Sequence, residues 1–261
     1  MSPSPIADAG PPVAARPYGL LGLILSLLAI LALTLVFALV AAVLAFAGLA
    51  ALHGPQGALD LVKTILESPK LAGRASEGFD VLLGIGAYLA QIAAVFAVAR
   101  FRGGRDWSAL VAWRDWQPRR HWKLFGGLLV LTLAWSIGAS IAIEHVYPQA
   151  KDWVTAPKET VWIVGFLALA VLFGPFAEEL LFRGWMYTSL RASFGLLVAV
   201  IATSVVFALA HWESTHLYAL AVLPVGLALA LIRERTGSIA ASITFHAIYN
   251  GVASVMLFVG Q

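Results

Sequence analysis

The sequence predicts an all-α, polytopic helical transmembrane bundle of about seven spans. Three observations carry that prediction. Of the 261 residues, 61% are hydrophobic and 12% are charged, against roughly half and a quarter in an ordinary soluble domain. A soluble domain of this size has too much surface to hide that apolar content. The apolar stretches are also continuous, whereas barrel strands alternate, and several reach the ~20 residues that cross a bilayer. The same arithmetic excludes a soluble globular enzyme, a disordered chain and a nucleic-acid partner. The net charge of +3 fits loops facing anionic lipid. There is no cysteine, so disulfides, cysteine-ligated metals and a thiol nucleophile are ruled out. Arginine (12) exceeds lysine (5), which fits a GC-rich bacterial genome and a bacterial cell membrane.

Residues 1–17 carry five prolines and read as a disordered tail. Residues 18–155 read as N-terminal membrane helices with a basic cytoplasmic loop. Residues 156–261 form a second unit, where the chemistry-bearing residues concentrate. The first apolar run, Tyr18 to Leu52, is 35 residues long and exceeds the ~7–15 of a signal-peptide core. It is expected to be one long tilted helix, ended by His53-Gly54-Pro55. Residues 56–79 mix Lys63, Lys70 and Arg74 with Asp60, Glu67 and Glu77 and read as a loop with a short amphipathic helix. Further spans are expected near 81–101, 124–146, 161–190, 195–212, 217–233 and 238–259.

Residues 100–123 hold Arg100, Arg102, Arg105, Arg114, Arg119, Arg120 and Lys123. Placing that side in the cytoplasm also puts Arg16, Arg183, Arg191, Arg233 and Arg235 there by alternation. Twelve of the 17 basic residues are then inside, with a cytoplasmic N-terminus. Trp107, Trp113, Trp116 and Trp122 share this loop and read as interfacial anchors.

An ionisable group at membrane depth costs at least ~2.5–3.5 kcal/mol, so each one is a candidate for function. Glu178, Glu179 and Arg183 fall inside the fourth span, just after Gly174-Pro175, which should bend the helix and free a backbone carbonyl. Glu179 and Arg183 are one turn apart and can pair. Glu178 points ~100° away and is left free to face a cavity. Phe207 and His211 share a face one turn apart in the fifth span, and His246 and Asn250 do so in the seventh. Taken singly, an interfacial histidine and an interhelical hydrogen bond would explain the last two pairs. Depth ties the three segments together. At ~1.5 Å per residue, Glu178, His211, His246 and Asn250 lie about 20, 24, 12 and 18 Å from the cytoplasmic side. One intramembrane cavity can hold all four.

One carboxylate, two imidazoles and one amide suit hydrolysis. Glu178 could deprotonate water that His211 helps to hold, while His246 and Asn250 donate to the developing oxyanion. Zinc held by Glu178, His211 and His246 with an open position for water is the alternative use of the same atoms. The zincin HExxH pattern is absent. Ser140 and Ser238 lack a nucleophile-elbow context and read as small packing residues.

The order Glu178-Glu179-xxx-Arg183, Phe207-xxx-His211, His246-xxx-Asn250 on separate apolar spans resembles the CPBP family. This family comprises the CAAX-type intramembrane proteases and bacteriocin-processing Abi enzymes, with patterns EExxxR, FxxxH and HxxxN/D. The resemblance covers about residues 160–255 and leaves the first three spans aside. It implies an intramembrane endopeptidase acting on a membrane-embedded or membrane-anchored substrate, with residues 156–261 as the catalytic core. Glu178 would match the catalytic glutamate, His211 the histidine that shares its water, and His246 and Asn250 the oxyanion pair. Glu179, Arg183 and Phe207 would be supporting positions. The resemblance admits metal-dependent and metal-free versions, and glutamate-activated water without a cofactor is the preferred one. The rival functions are a non-catalytic scaffold or bacteriocin-immunity-type protein of the same fold, and a proton-coupled carrier. The carrier is disfavoured because no inverted repeat is present.

Overall fold

The structure is a computed structural model and describes residues 19–67, 74–148, 157–212 and 217–259. The proposed tail at 1–17 lies outside the described residues. The described chain is helical, with no strand. In chain order the helices are α1 (Leu20–Glu67), α2 (Arg74–Gly103), α3 (Trp107–Leu110), α4 (Pro118–Val146), α5 (Thr160–Ala168), α6 (Gly174–Glu179), α7 (Tyr187–Leu209), α8 (Leu217–Thr236) and α9 (Ile239–Val259). Wider π turns at Leu169–Phe173 and Leu180–Met186 join α5, α6 and α7 without a loop.

Among the described residues, six stretches are long and apolar enough to cross a membrane, and the fourth runs 50 residues, Thr160–Leu209. It is not one pass. Gly195 has φ +84°, a conformation that glycine adopts without steric cost. The rings of Phe182 and Phe207 meet across it with centroids 5.3 Å apart. The arms therefore fold into an antiparallel hairpin, and the count becomes seven. α1 breaks where expected, at Gly54-Pro55, with φ +75° at Gly54. Residues 56–67 continue as helix and α2 begins at Arg74, so much of the stretch read as a loop is helical.

The loop between α2 and α4 departs furthest from its sequence reading. Leu110, Val111 and Ala112 at its centre are buried. Val111 lies against Gly184, where an added Cβ would come within 3.2 Å of the Val111 Cβ. Ile239 N–H donates to the Ala112 carbonyl at 3.1 Å, and the Ser238 hydroxyl donates to that of Arg114. The basic loop thus carries an apolar tip that docks into the bundle. Two of its four tryptophans follow it inward. Trp107 packs edge-on to Phe96 at 5.0 Å, and Trp116 stacks on Phe125 at 5.6 Å. Trp122 stays exposed.

Candidate active site

The site is built on the hairpin. Phe182 is 13 residues before Gly195 and Phe207 is 12 after it. One turn further from the bend in each arm stand Glu178 and His211. The sequence spacing on either side of one glycine thus gives them corresponding positions in the two arms. His211 lies in the turn just beyond the end of α7, not within the span.

Glu179 and Arg183 form the buried centre. Arg183 Nη1 donates to Glu179 Oε1 at 2.9 Å, and both side chains are fully buried. Arg183 Nη2 donates to the Gly226 carbonyl at 2.9 Å. That carbonyl is reachable because Gly226 has no Cβ; one would sit 3.2 Å from the Ser204 backbone. The guanidinium also lies over the Phe207 ring, 4.4 Å from its centre, a favourable cation–π position. Arg183 thus ties both hairpin arms to α8. Arg233, also buried, donates from Nε to the Arg183 carbonyl at 3.2 Å and covers the Tyr187 ring at 5.4 Å. These two arginines are interior residues and not headgroup charges, because each has acceptors and an aromatic face inside the bundle.

His246 comes from α9 and reaches both glutamates. Its Nδ1 lies 3.1 Å from Glu179 Oε1, and its Nε2 lies 3.8 Å from Glu178 Oε2. A carboxylate only accepts, so Nδ1 carries the proton toward Glu179 and Nε2 faces Glu178. His211 is held in the same sense. Its Nδ1 is 2.8 Å from the Phe207 carbonyl, which also only accepts, leaving Nε2 as the outward nitrogen. The Phe207 ring separates the two imidazoles, 4.7 Å from His211 and 5.8 Å from His246.

Asn250 is explained by the bend before α6. Gly174 N–H donates to the Leu169 carbonyl, an i→i−5 bond. In that register the next carbonyl, Ala170, meets Pro175, which has no N–H. Asn250 Nδ2 donates to that Ala170 carbonyl at 2.8 Å. The freed carbonyl expected from Gly174-Pro175 is the one that anchors α9. A π turn beside a functional site is a recurring arrangement.

Two residues of α2 join the site although the sequence patterns did not point to them. The Tyr88 hydroxyl donates to Glu178 Oε1 at 2.6 Å, so Glu178 is not left without a partner. Gln91 Nε2 donates to the Ala177 carbonyl at 3.1 Å. A tyrosine and a glutamine three apart in the middle of an apolar span were the available signal, since polar groups at that depth need partners.

Residues 160–252 match the family model described as type II CAAX prenyl endopeptidase Rce1-like. This segment is similar to the Rce1-like family, within the CPBP group. It contains Glu178, Glu179, Arg183, Phe207, His211, His246 and Asn250. No curated protein and no solved structure gives a match. The Rce1-like family is one of CAAX-type intramembrane proteases, and with seven apolar passes among its described residues the chain is an integral membrane protein. Tyr88 and Gln91 lie outside the Rce1-like segment.

Among the described residues, no three His, Cys, Asp or Glu side chains are grouped so as to hold a metal ion. Glu178, His211 and His246 are not grouped as a zinc shell.

Proposed function

We propose that the chain is an intramembrane endopeptidase that hydrolyses a peptide bond in a membrane-embedded or membrane-anchored substrate. The observation that supports this best is His246, whose Nε2 lies 3.8 Å from Glu178 Oε2 and whose ring packs on Phe207, against which His211 also packs. Glu178 takes a proton from a water that His211 Nε2 helps to orient. The water oxygen bonds to the carbonyl carbon, and the carbonyl oxygen becomes an oxyanion. Protonated His246 donates to it from Nε2. Asn250 donates with the amide hydrogen not used by Ala170. The C–N bond then breaks, and Glu178 returns its proton to the leaving amine. Electrostatic stabilisation and general base catalysis of this kind need no covalent intermediate. Glu179 and Arg183 support the site by holding His246 and the hairpin. A cytoplasmic N-terminus, from the distribution of basic residues, belongs to the same proposal.

The test is cleavage of an internally quenched peptide bearing an S-farnesyl cysteine near its C-terminus, by purified full-length protein in detergent. Cleavage is expected in the wild type. Glu178→Gln and His211→Ala should each lower it by about 10²–10⁴-fold while the protein stays folded. Cleavage that survives both substitutions overturns the mechanism. A folded wild type that cleaves nothing favours the non-catalytic scaffold. Stoichiometric zinc with chelator-sensitive activity would overturn the metal-free version.

A further inference from the structure

We propose that Tyr88, from outside the family-matched segment, is a positioning residue of the site that fixes which oxygen of Glu178 is presented for reaction. The inference rests on the protease reading above and adds a residue to it. At 2.6 Å the Tyr88 hydroxyl makes a short, charge-assisted bond to Glu178 Oε1. Oε2 is the oxygen left facing His246 Nε2. A carboxylate with one oxygen tied cannot spin freely, so the reactive lone pairs keep one direction. Misplacing a reacting group by about 1 Å costs on the order of 10²-fold in rate, so this restraint has kinetic value.

The surroundings are shaped for the contact. Gly174 lies beside the Tyr88 ring: an added Cβ there would be 3.3 Å from the ring and 3.0 Å from the Leu169 carbonyl. The bend that ends the π turn therefore also opens the space the ring fills. One turn along α2, Gln91 bonds the Ala177 carbonyl, so α2 grips two consecutive residues of α6. Gln91 holds the backbone, and Tyr88 holds the carboxylate. This assigns a task to the second span, which carries none of the family's patterns.

Tyr88→Phe keeps the ring and removes only the donor. In the farnesyl-peptide assay, kcat should fall about 10–100-fold with KM within about twofold. Gln91→Leu, which removes a backbone contact of the same helix, should lower the unfolding midpoint and leave kcat within about threefold. A Tyr88→Phe enzyme with wild-type kcat overturns the proposal. So does a Tyr88→Phe protein that loses its fold, or a Gln91→Leu variant whose kcat falls as far, since either outcome makes the contact one of packing alone. Glu178→Gln in the same assay separates the two ideas. If it retains activity, the protease mechanism fails; if it is inactive while Tyr88→Phe is not, only the role of Tyr88 fails. A double-mutant cycle of Tyr88→Phe and Glu178→Gln on the unfolding midpoint, which needs no turnover, should be non-additive. Additive shifts overturn the contact itself.

Discussion

The most apolar span is among the least buried. In its best membrane-spanning window α1 has only 6% of its residues buried in the protein, whereas α8, less apolar, has 50%. Within a soluble protein this order would be reversed. In a bilayer the surface faces hydrocarbon, so the outer helices must be the greasy ones. The interior is held by close packing and hydrogen bonds, which tolerate small and polar residues. Accordingly α8 buries Gly226, Ala228, Ala230 and Arg233, while α1 exposes Leu25, Leu35, Leu39 and Leu44. Hydropathy locates spans in this molecule and says little about which of them form the core.

Substitutions can break that contrast or sharpen it. The largest loss of stability is expected for Glu179→Ala, which strands a fully buried Arg183. Uncoupling one member of a buried ion pair costs about 3–5 kcal/mol, to be read from denaturant unfolding in micelles. An unchanged unfolding curve with lost activity would move Glu179 into the chemistry. Leu180→Ala comes next. This side chain is fully buried in the hairpin, and its truncation should cost about 2–5 kcal/mol. Ser26→Ala is a smaller test of how α1 is attached. Trp185 Nε1 donates to the Ser26 hydroxyl at 2.8 Å, and the bond is buried. Its loss should cost about 1 kcal/mol and leave cleavage intact. The smallest effect is expected for Leu35→Ala, 62% exposed on α1, at under about 0.5 kcal/mol. If Leu35→Ala proved as costly as Leu180→Ala, α1 would have a protein partner on its outer face.

Much of the site was legible because its parts are polar residues in an apolar background. Glu178, Glu179, Arg183, His211, His246 and Asn250 stand out for that reason, and the Glu179–Arg183 pair follows from a one-turn spacing. The depth estimate was less sharp: it spread the four proposed catalytic residues over about 12 Å, yet His246 reaches both glutamates. Helix length measures distance along an axis, and side chains close the rest. Tyr88 was not legible, because a tyrosine in a span has many bland uses. Only the packing of α2 on α6 shows which carboxylate it meets. The docking of the basic loop was not legible for a related reason. Its arginines are conspicuous in the sequence, while the apolar tip at Leu110–Ala112 is too short to register as a buried element.

By itself the sequence determined that the chain lies in a membrane, where its spans fall and which few residues are able to carry chemistry. These are local matters of apolar length and the cost of a charge in hydrocarbon. The tertiary structure decided the pairings: Tyr88 with Glu178, Asn250 with the Ala170 carbonyl, and His246 between two glutamates. Each joins residues at least 67 positions apart. A span reports how costly its polar group would be alone, but the partner that removes the cost is chosen by how the helices pack.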